Sequence, residues 1–274
     1  MLGNPLSTGE ASMKVKTLIL RAPGTNCDQE TIEAFEEAGS RVEVKHINSL
    51  LKDPSILDEY HIFCIPGGFS YGDDLGAGKI LACQLKYRLR KPIERIVSEG
   101  RIILGICNGF QALVKAGLLP GLSGLFSRQE ATLALNEGGF FIDRWVYIRC
   151  EEVTRCKPLK DLAGAILHAP INHAEGRFIA PPDILDILED DGYIVFRYVD
   201  PSGCISRGWN PNGSMNNVAG ICNRDGNVIG LMPHPEKYIH PYTHPSWTRF
   251  DNILEDNCLR FFKTLVEYTY LHIL

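Results

Sequence analysis

The residues able to do chemistry fall in three short segments, each at the end of an apolar run. The sharpest is Gly105-Ile106-Cys107-Asn108-Gly109, set between the run RIIL and the helical pattern FQALVKAG. G-x-C-x-G is the pattern of a nucleophile elbow with cysteine in place of serine, where a strand turns abruptly into a helix and presents one side chain. The flanking glycines are required because the backbone there is strained and its neighbours pack closely. A thiol at that turn sits at a helix N-terminus, whose dipole favours thiolate over thiol. Most free cysteines are plain core residues; the two glycines and the strand-to-helix setting move the reading of Cys107 to a nucleophile.

A nucleophile needs a base, and the base an orienting group. Met232-Pro233-His234-Pro235-Glu236 supplies both. Each proline fixes its own φ and biases the preceding residue toward extended geometry, so the spacing predicts a stiff extended segment with His234 and Glu236 on one side. Glu236 then accepts from one imidazole nitrogen and leaves the other for the thiol. The plain alternative is a solvated ion pair in a proline-rich loop. Position decides against it, because the segment follows an apolar strand, as Cys107 does, and open α/β sheets place their sites at strand C-terminal ends. The third segment, Pro66-Gly67-Gly68-Phe69-Ser70-Tyr71-Gly72-Asp73-Asp74, also follows a strand. Its paired glycines expose backbone N–H groups, and acyl transfer needs such donors at the developing oxyanion. The Gly68 and Asn108 N–H groups are the expected pair; losing one donor costs ~10²–10³ in rate.

Other chemistries fit less well. Gly76-Ala77-Gly78-Lys79-Ile80 has some likeness to a phosphate-binding loop, but Asp73 stands where a glycine is needed and Ile80 where a hydroxyl is needed. His234, His240 and His244 lie close in sequence without cysteines or carboxylates at metal-ligand spacing, so no metal is expected; His168 and His173 read as strand or loop positions. Lys+Arg 28 against Asp+Glu 33 gives a net charge of −5, the wrong sign for a nucleic-acid partner. The nine cysteines are odd in number and scattered, which reads as free thiols in a reducing, cytoplasmic setting. No membrane span is expected, since no run approaches the ~18 apolar residues one needs. The start, MLGNPLSTGEASM, lacks a basic or apolar signal region and reads as a flexible leader over residues 1–13.

The elements that must position these groups follow an α/β rhythm from Lys14 onward. Residues 15–20 read as a buried strand, and APGTNCDQETIEAFEEAG as loop plus helix, with Asn26 or Asp28 as N-cap and Gly39 after the last turn. Residues 41–46, HIFCIPGG and RIILGIC supply further strands, and residues 92–99 a helix stopped by Gly100. Beyond Gly117, ATLALNEGGFFIDRWVYIRC and GYIVFRYVD are β-rich, and VAGICNRDGNVIGLM forms a hairpin around Asp225-Gly226. Phe250, Ile253, Leu254, Cys258, Phe261 and Leu265 fall at helical spacing. The expectation is one α/β domain over residues 14–274: a mainly parallel open sheet with flanking helices, an antiparallel extension, and a C-terminal helical extension from about residue 240.

PGGFSYGDD, GICNGFQAL, INHAEGRF and NPNGSMNNVAGICNRDGNVIGLMPHPE together resemble the class I, triad-type glutamine amidotransferases, and more narrowly the glutaminase subunits of phosphoribosylformylglycinamidine synthases. The cysteine elbow and the H-P-E end are shared widely; GGFSYGDD and NPNGS followed by AGICN are more specific. The resemblance implies a flavodoxin-like fold and a Cys107, His234, Glu236 triad acting on L-glutamine, with Gln111 helping to hold the substrate's amino-acid end. It implies ammonia transfer to an ATP- and Mg-dependent synthetase subunit, a small accessory subunit, and no cofactor in this chain. Two departures stand out: 38 residues follow Glu236, and DLGAGK replaces a segment that in many relatives carries a bulky residue and an arginine. Both are expected at surfaces that meet the synthetase. A non-catalytic binding protein would show a broken triad, and a peptidase-like hydrolase a histidine soon after the nucleophile, whereas the first histidine after Cys107 is His168.

Overall fold

The computed structural model describes residues 14–249 and 257–274. In chain order the elements are β1 (Lys16–Arg21), α1 (Asp28–Glu37), β2 (Arg41–His46), α2 (Ile47–Lys52), β3 (Ile62–Ile65), α3 (Lys79–Arg88), α4 (Arg90–Ser98), β4 (Ile102–Ile106), α5 (Asn108–Ala116), β5 (Thr132–Leu135), β6 (Ile142–Cys150), β7 (Ile166–His173), β8 (Glu175–Ile179), α6 (Pro182–Asp190), β9 (Ile194–Val199), β10 (Val218–Cys222), β11 (Val228–Leu231) and α7 (Leu259–His272). A nine-stranded sheet runs β2-β1-β3-β4-β11-β10-β9-β6-β7. Its first five strands are parallel, in the flavodoxin-like order, and the remaining pairings are antiparallel.

Burial explains the two halves. β3, β4 and β11 are buried at every position and read as unbroken apolar runs, as strands covered on both faces must. β6 and β7 mix buried and partly exposed positions, the pattern of strands with one wetter face. ATLAL does not extend the main sheet as expected; β5 leaves it to pair with β8 in a separate two-stranded ribbon.

α5 lies hard against the centre of the sheet, and glycines make the approach feasible. Gly105 of β4 and Gly230 of β11 are direct partners in the parallel ladder. A Cβ on Gly230 would sit 2.1 Å from a ring carbon of Phe110, and one on Gly105 would sit 2.6 Å from Leu113. The pair therefore forms a backbone-floored groove that receives Phe110 and Leu113 of α5. On another side of the core, α1 packs on α7, with Phe35 and Phe262 edge to face at 5.1 Å.

One further expectation needs correction. Neither Asn26 nor Asp28 caps α1: Cys27 occupies the N-cap with no side-chain cap bond. Asn26 Oδ1 accepts from the Cys27 thiol, and Asp28 already stands inside the helix as its first residue, its Oδ2 accepting from Arg21 at 2.6 Å. The closing helix begins at Leu259, with Cys258 as its N-cap; Phe250, Ile253, Leu254 and the leader lie outside the described residues. The described part of the tail packs on the core: Phe261, Phe262 and Leu265 are fully buried, and the Cys258 N–H donates to Tyr238 O at 2.7 Å. Helices α3 and α6 were not anticipated, although Pro182 at the first turn of α6 is a standard start signal.

Gly230→Ala overpacks the groove under α5. Urea unfolding should register a loss of about 1–3 kcal/mol; unchanged stability would mean that Phe110 yields freely and the groove is not a tight constraint.

Candidate active site

Three adjacent parallel strands, β3, β4 and β11, end at the same level. Ile65 pairs with Gly105, and Leu231 with Ile106. The residues just past these ends are therefore brought together: the Gly67-Gly68 turn, Cys107, and His234.

Cys107 forms the expected elbow. Its backbone sits at φ 50, ψ −103, a conformation an L residue rarely adopts. It is held by bonds from the Cys107 N–H to Leu231 O at 2.8 Å and from the Gln111 N–H to Cys107 O at 3.0 Å. Gly109 is compulsory, since a Cβ there would lie 1.9 Å from Ile65 O.

Asn108, first residue of α5, ties the glycine-rich loop to the elbow. Its Oδ1 accepts from the Ser70 N–H at 3.0 Å, and its Nδ2 donates to Asp73 Oδ1 at 3.0 Å and Gln111 Oε1 at 2.9 Å. Burial pushes the Asp73 carboxyl above its ordinary range, against the pull of the Gly78 and Asn108 hydrogen bonds. Gly68 faces Thr25 in an antiparallel bridge whose bonds are made by the neighbours, Asn26 N–H to Gly67 O and Phe69 N–H to Gly24 O. In such a pair the central N–H points away from the partner strand. Gly68 lines the same clefts as Cys107.

His234 and Glu236 pair as expected but on a different backbone. His234 Nδ1 and Glu236 Oε1 are 2.6 Å apart, and both residues are buried. The segment is not extended: Pro235 opens a 3-10 turn through Tyr238. Proline's fixed φ suits the first position of a helical turn as well as a strand, and the turn lets the carboxylate reach back. Burial alone would push the His234 imidazole down, but the Glu236 carboxylate, then the Cys107 and Cys27 sulfurs, carry it well above the ordinary histidine range. Its Nε2 has no partner at hydrogen-bonding geometry among the described residues.

Two clefts meet at Cys107. One, about 270 Å³, is bounded by Cys27, Gly68, Phe141, Asn172 and His234, and the exposed rings of Phe69 and Phe141 stack at 6.4 Å beside it. The other, about 190 Å³, is bounded by Gly68, Asp73, Gln111, His173 and Glu175. Gln111 is buried there, its Nε2 donating to Glu175 O.

The wall formed by Asn172, His173 and Glu175 was not recognised from the residues. Glu175 pairs with Lys115 at 3.0 Å and His173 with Asn136 Oδ1 at 3.1 Å. Burial, then His234, drives His173 down to about 4. The segment INHAEG does carry a polar cluster between two strands, but only the folding of β7 over the site, fixed by the His234 N–H to Pro170 O bond at 2.9 Å, places it beside the thiol. The histidines near the end disperse: His240 bonds Glu33 at 2.8 Å and His244 bonds His168 at 2.9 Å. Gly78, in the loop likened to a phosphate cradle, serves close packing, for a Cβ there would meet Ala112 N of α5 at 2.8 Å. Among the described residues, Cys27, His234 and Glu236 are a group whose donor atoms could hold a metal ion.

His173 makes the site acid-sensitive. Its pKa falls from 6.5 to about 4 on folding, so between these values the unfolded chain binds more protons and stability falls as pH drops. The loss should be about 2 kcal/mol by pH 5. Urea unfolding of His173→Gln across pH 7.5 to 5 should give a shallower profile than wild type; parallel profiles would show that His173 is not the group responsible.

Comparison with known proteins agrees with this geometry. The family model described as the CobB/CobQ-like glutamine amidotransferase domain matches residues 14–269. The phosphoribosylformylglycinamidine synthase subunit PurQ of Dehalococcoides mccartyi is 42% identical over 93% of this chain and 98% of its own length. The subunit of that name from Archaeoglobus fulgidus is 40% identical over 84% of this chain and 89% of its own. A chain in the structure of PurLQS from Thermotoga maritima aligns at a TM-score of 0.67 and 31% identity, covering 93% of this chain and 99% of that one. With the cysteine elbow, the buried His–Glu pair and the flavodoxin-like strand order in one frame, the chain belongs to the glutamine amidotransferase family.

Proposed function

We propose that this chain is the glutaminase subunit of a phosphoribosylformylglycinamidine synthase, hydrolysing L-glutamine to glutamate and ammonia. The observation that carries the reading is the convergence of Gly68, Cys107 and the His234–Glu236 pair at three adjacent strand ends. Near full-length similarity to subunits of that name supports the substrate and the pathway.

The Cys107 thiolate attacks the side-chain amide carbon of glutamine. The Gly68 and Asn108 N–H groups stabilise the tetrahedral oxyanion. His234, held as imidazolium by Glu236, delivers the proton with which ammonia leaves, and the resulting neutral imidazole activates water to hydrolyse the γ-glutamyl thioester. Glu236 keeps the tautomer and orientation of the ring. Gln111 presents to the amino-acid end the hydrogen-bonding capacity that Asn108 and Glu175 leave unused.

Ammonia passes to a synthetase subunit that uses ATP and Mg to convert formylglycinamide ribonucleotide to its amidine, with a small accessory subunit in the complex. Among the described residues no helix is long and apolar enough to cross a membrane, and all nine cysteines are free, which supports a cytoplasmic setting.

Cys107→Ala should abolish glutamine-dependent synthesis by the assembled complex while ammonia-dependent synthesis survives; loss of both would count against the assignment. Glu236→Gln should lower glutaminase turnover by ~10²–10⁴-fold and still allow the covalent intermediate to form. Peptide mapping after exposure to an electrophilic glutamine analogue should find one adduct, on Cys107, suppressed by glutamine. An unmodified Cys107 with the synthetase present would mean that the elbow is structural.

A further inference from the structure

The mechanism uses one thiol, yet a second lies in the same cleft. Cys27 is buried, stands at the N-cap of α1 without capping it, and bonds only weakly to Asn26 Oδ1 at 3.2 Å. Gly67 shows how close it comes to the base: a Cβ at Gly67 would lie 2.6 Å from His234 Cε1 and 3.3 Å from Cys27 Sγ. Imidazole and thiol thus lie side by side over a bare stretch of backbone.

One donor atom each from Cys27, His234 and Glu236 lies within 4.8 Å of the other two. After the Nδ1–Oε1 bond is made, Glu236 Oε2 remains buried without a partner among the described residues, on the side of the ring that Nδ1 faces. Tetrahedral zinc with bonds of about 2.0–2.3 Å needs donors roughly 3.5 Å apart, so an ion entering beside the Cys27 sulfur must part His234 Nδ1 from Glu236 Oε1, now 2.6 Å apart, by about an ångström. Sulfur, imidazole and carboxylate together select a borderline-soft cation, whereas magnesium and calcium prefer all-oxygen sites.

We propose that Cys27, His234 and Glu236 form a binding site for a thiophilic divalent cation of the zinc type, which captures the catalytic base. As the sulfur–metal bond forms, the Cys27 thiol proton leaves to solvent, and any imidazolium proton at the ligating nitrogen leaves with it. Binding itself stands apart from the glutaminase reading. Its consequence, reversible arrest of glutamine hydrolysis, rests on that reading.

The test uses the full chain carrying Cys83→Ser and Cys204→Ser, which removes the two exposed thiols, titrated with Co²⁺ or Zn²⁺ alone. One Co²⁺ per chain should bind with a thiolate-to-metal charge-transfer band that Zn²⁺ abolishes. Cys27→Ser should lose the band and weaken Zn²⁺ binding at least tenfold, whereas Cys107→Ser should keep both. No band in the parent, a band surviving Cys27→Ser, or a band lost only in Cys107→Ser would overturn the proposal. Should Cys27→Ser fail to fold, Glu236→Gln takes its place: it should keep the band and bind Zn²⁺ at least tenfold more weakly, and unchanged affinity would overturn the site. These readouts need no turnover, so failure of the glutaminase assignment would be seen separately, in the adduct mapping.

Discussion

Everything at the site depends on one close contact, between the first turn of α5 and the backbone of the sheet. Cys107 holds a conformation that costs roughly 1–3 kcal/mol, and it keeps it because the helix that follows has nowhere else to go. Gly109 lets that helix touch Ile65 O, and the facing Gly105 and Gly230 let Phe110 and Leu113 sink between β4 and β11. Packing on this scale is unforgiving of added volume. The strain is local and its support is spread over three strands.

The polar half of the site is built on that apolar footing. The His234–Glu236 pair is almost removed from water, where an unpaired charge would be costly. It persists because the carboxylate and imidazole answer each other and the ring lies against two sulfurs. Across the cleft, Asp73 and Glu175 stand near one another, and Lys115 bridges Glu175 at the start of β8 to Ala77 O of the loop. The two walls differ in character: one stabilises a proton on a base, the other shapes a narrow recess around Gln111.

The parts of this arrangement with a one-dimensional signature could be read in advance. The elbow glycines, the apolar runs of β3, β4 and β11, and the H-P-E order are local patterns with local physical causes. The pairing of His234 with Glu236 was also legible, but its turn was not, because proline's φ fits both outcomes. Gly230 looked like an ordinary strand residue until its register against Gly105 was known. Cys27, Asn172, His173 and Glu175 were invisible as site residues for the same reason: their neighbours are set by which strands pair and how β7 folds back, and no spacing in the chain encodes that. The departure of β5 into its own ribbon is a similar tertiary choice.

Asn108 has a consequence for how the protein opens. Its one side chain bonds the loop at Ser70 and Asp73 and the helix at Gln111, while its backbone begins the helix that fixes the thiol. The loop cannot lift away without breaking bonds that also hold the nucleophile's helix, so local opening of the two should be a single cooperative event. In hydrogen-exchange language, the amide hydrogens of Ser70 and Gln111, far apart in sequence, belong to one protected unit. The glycine-rich wall that carries Gly68 and the helix that fixes the thiol are then lost together, so the nucleophile does not outlast the wall that faces it.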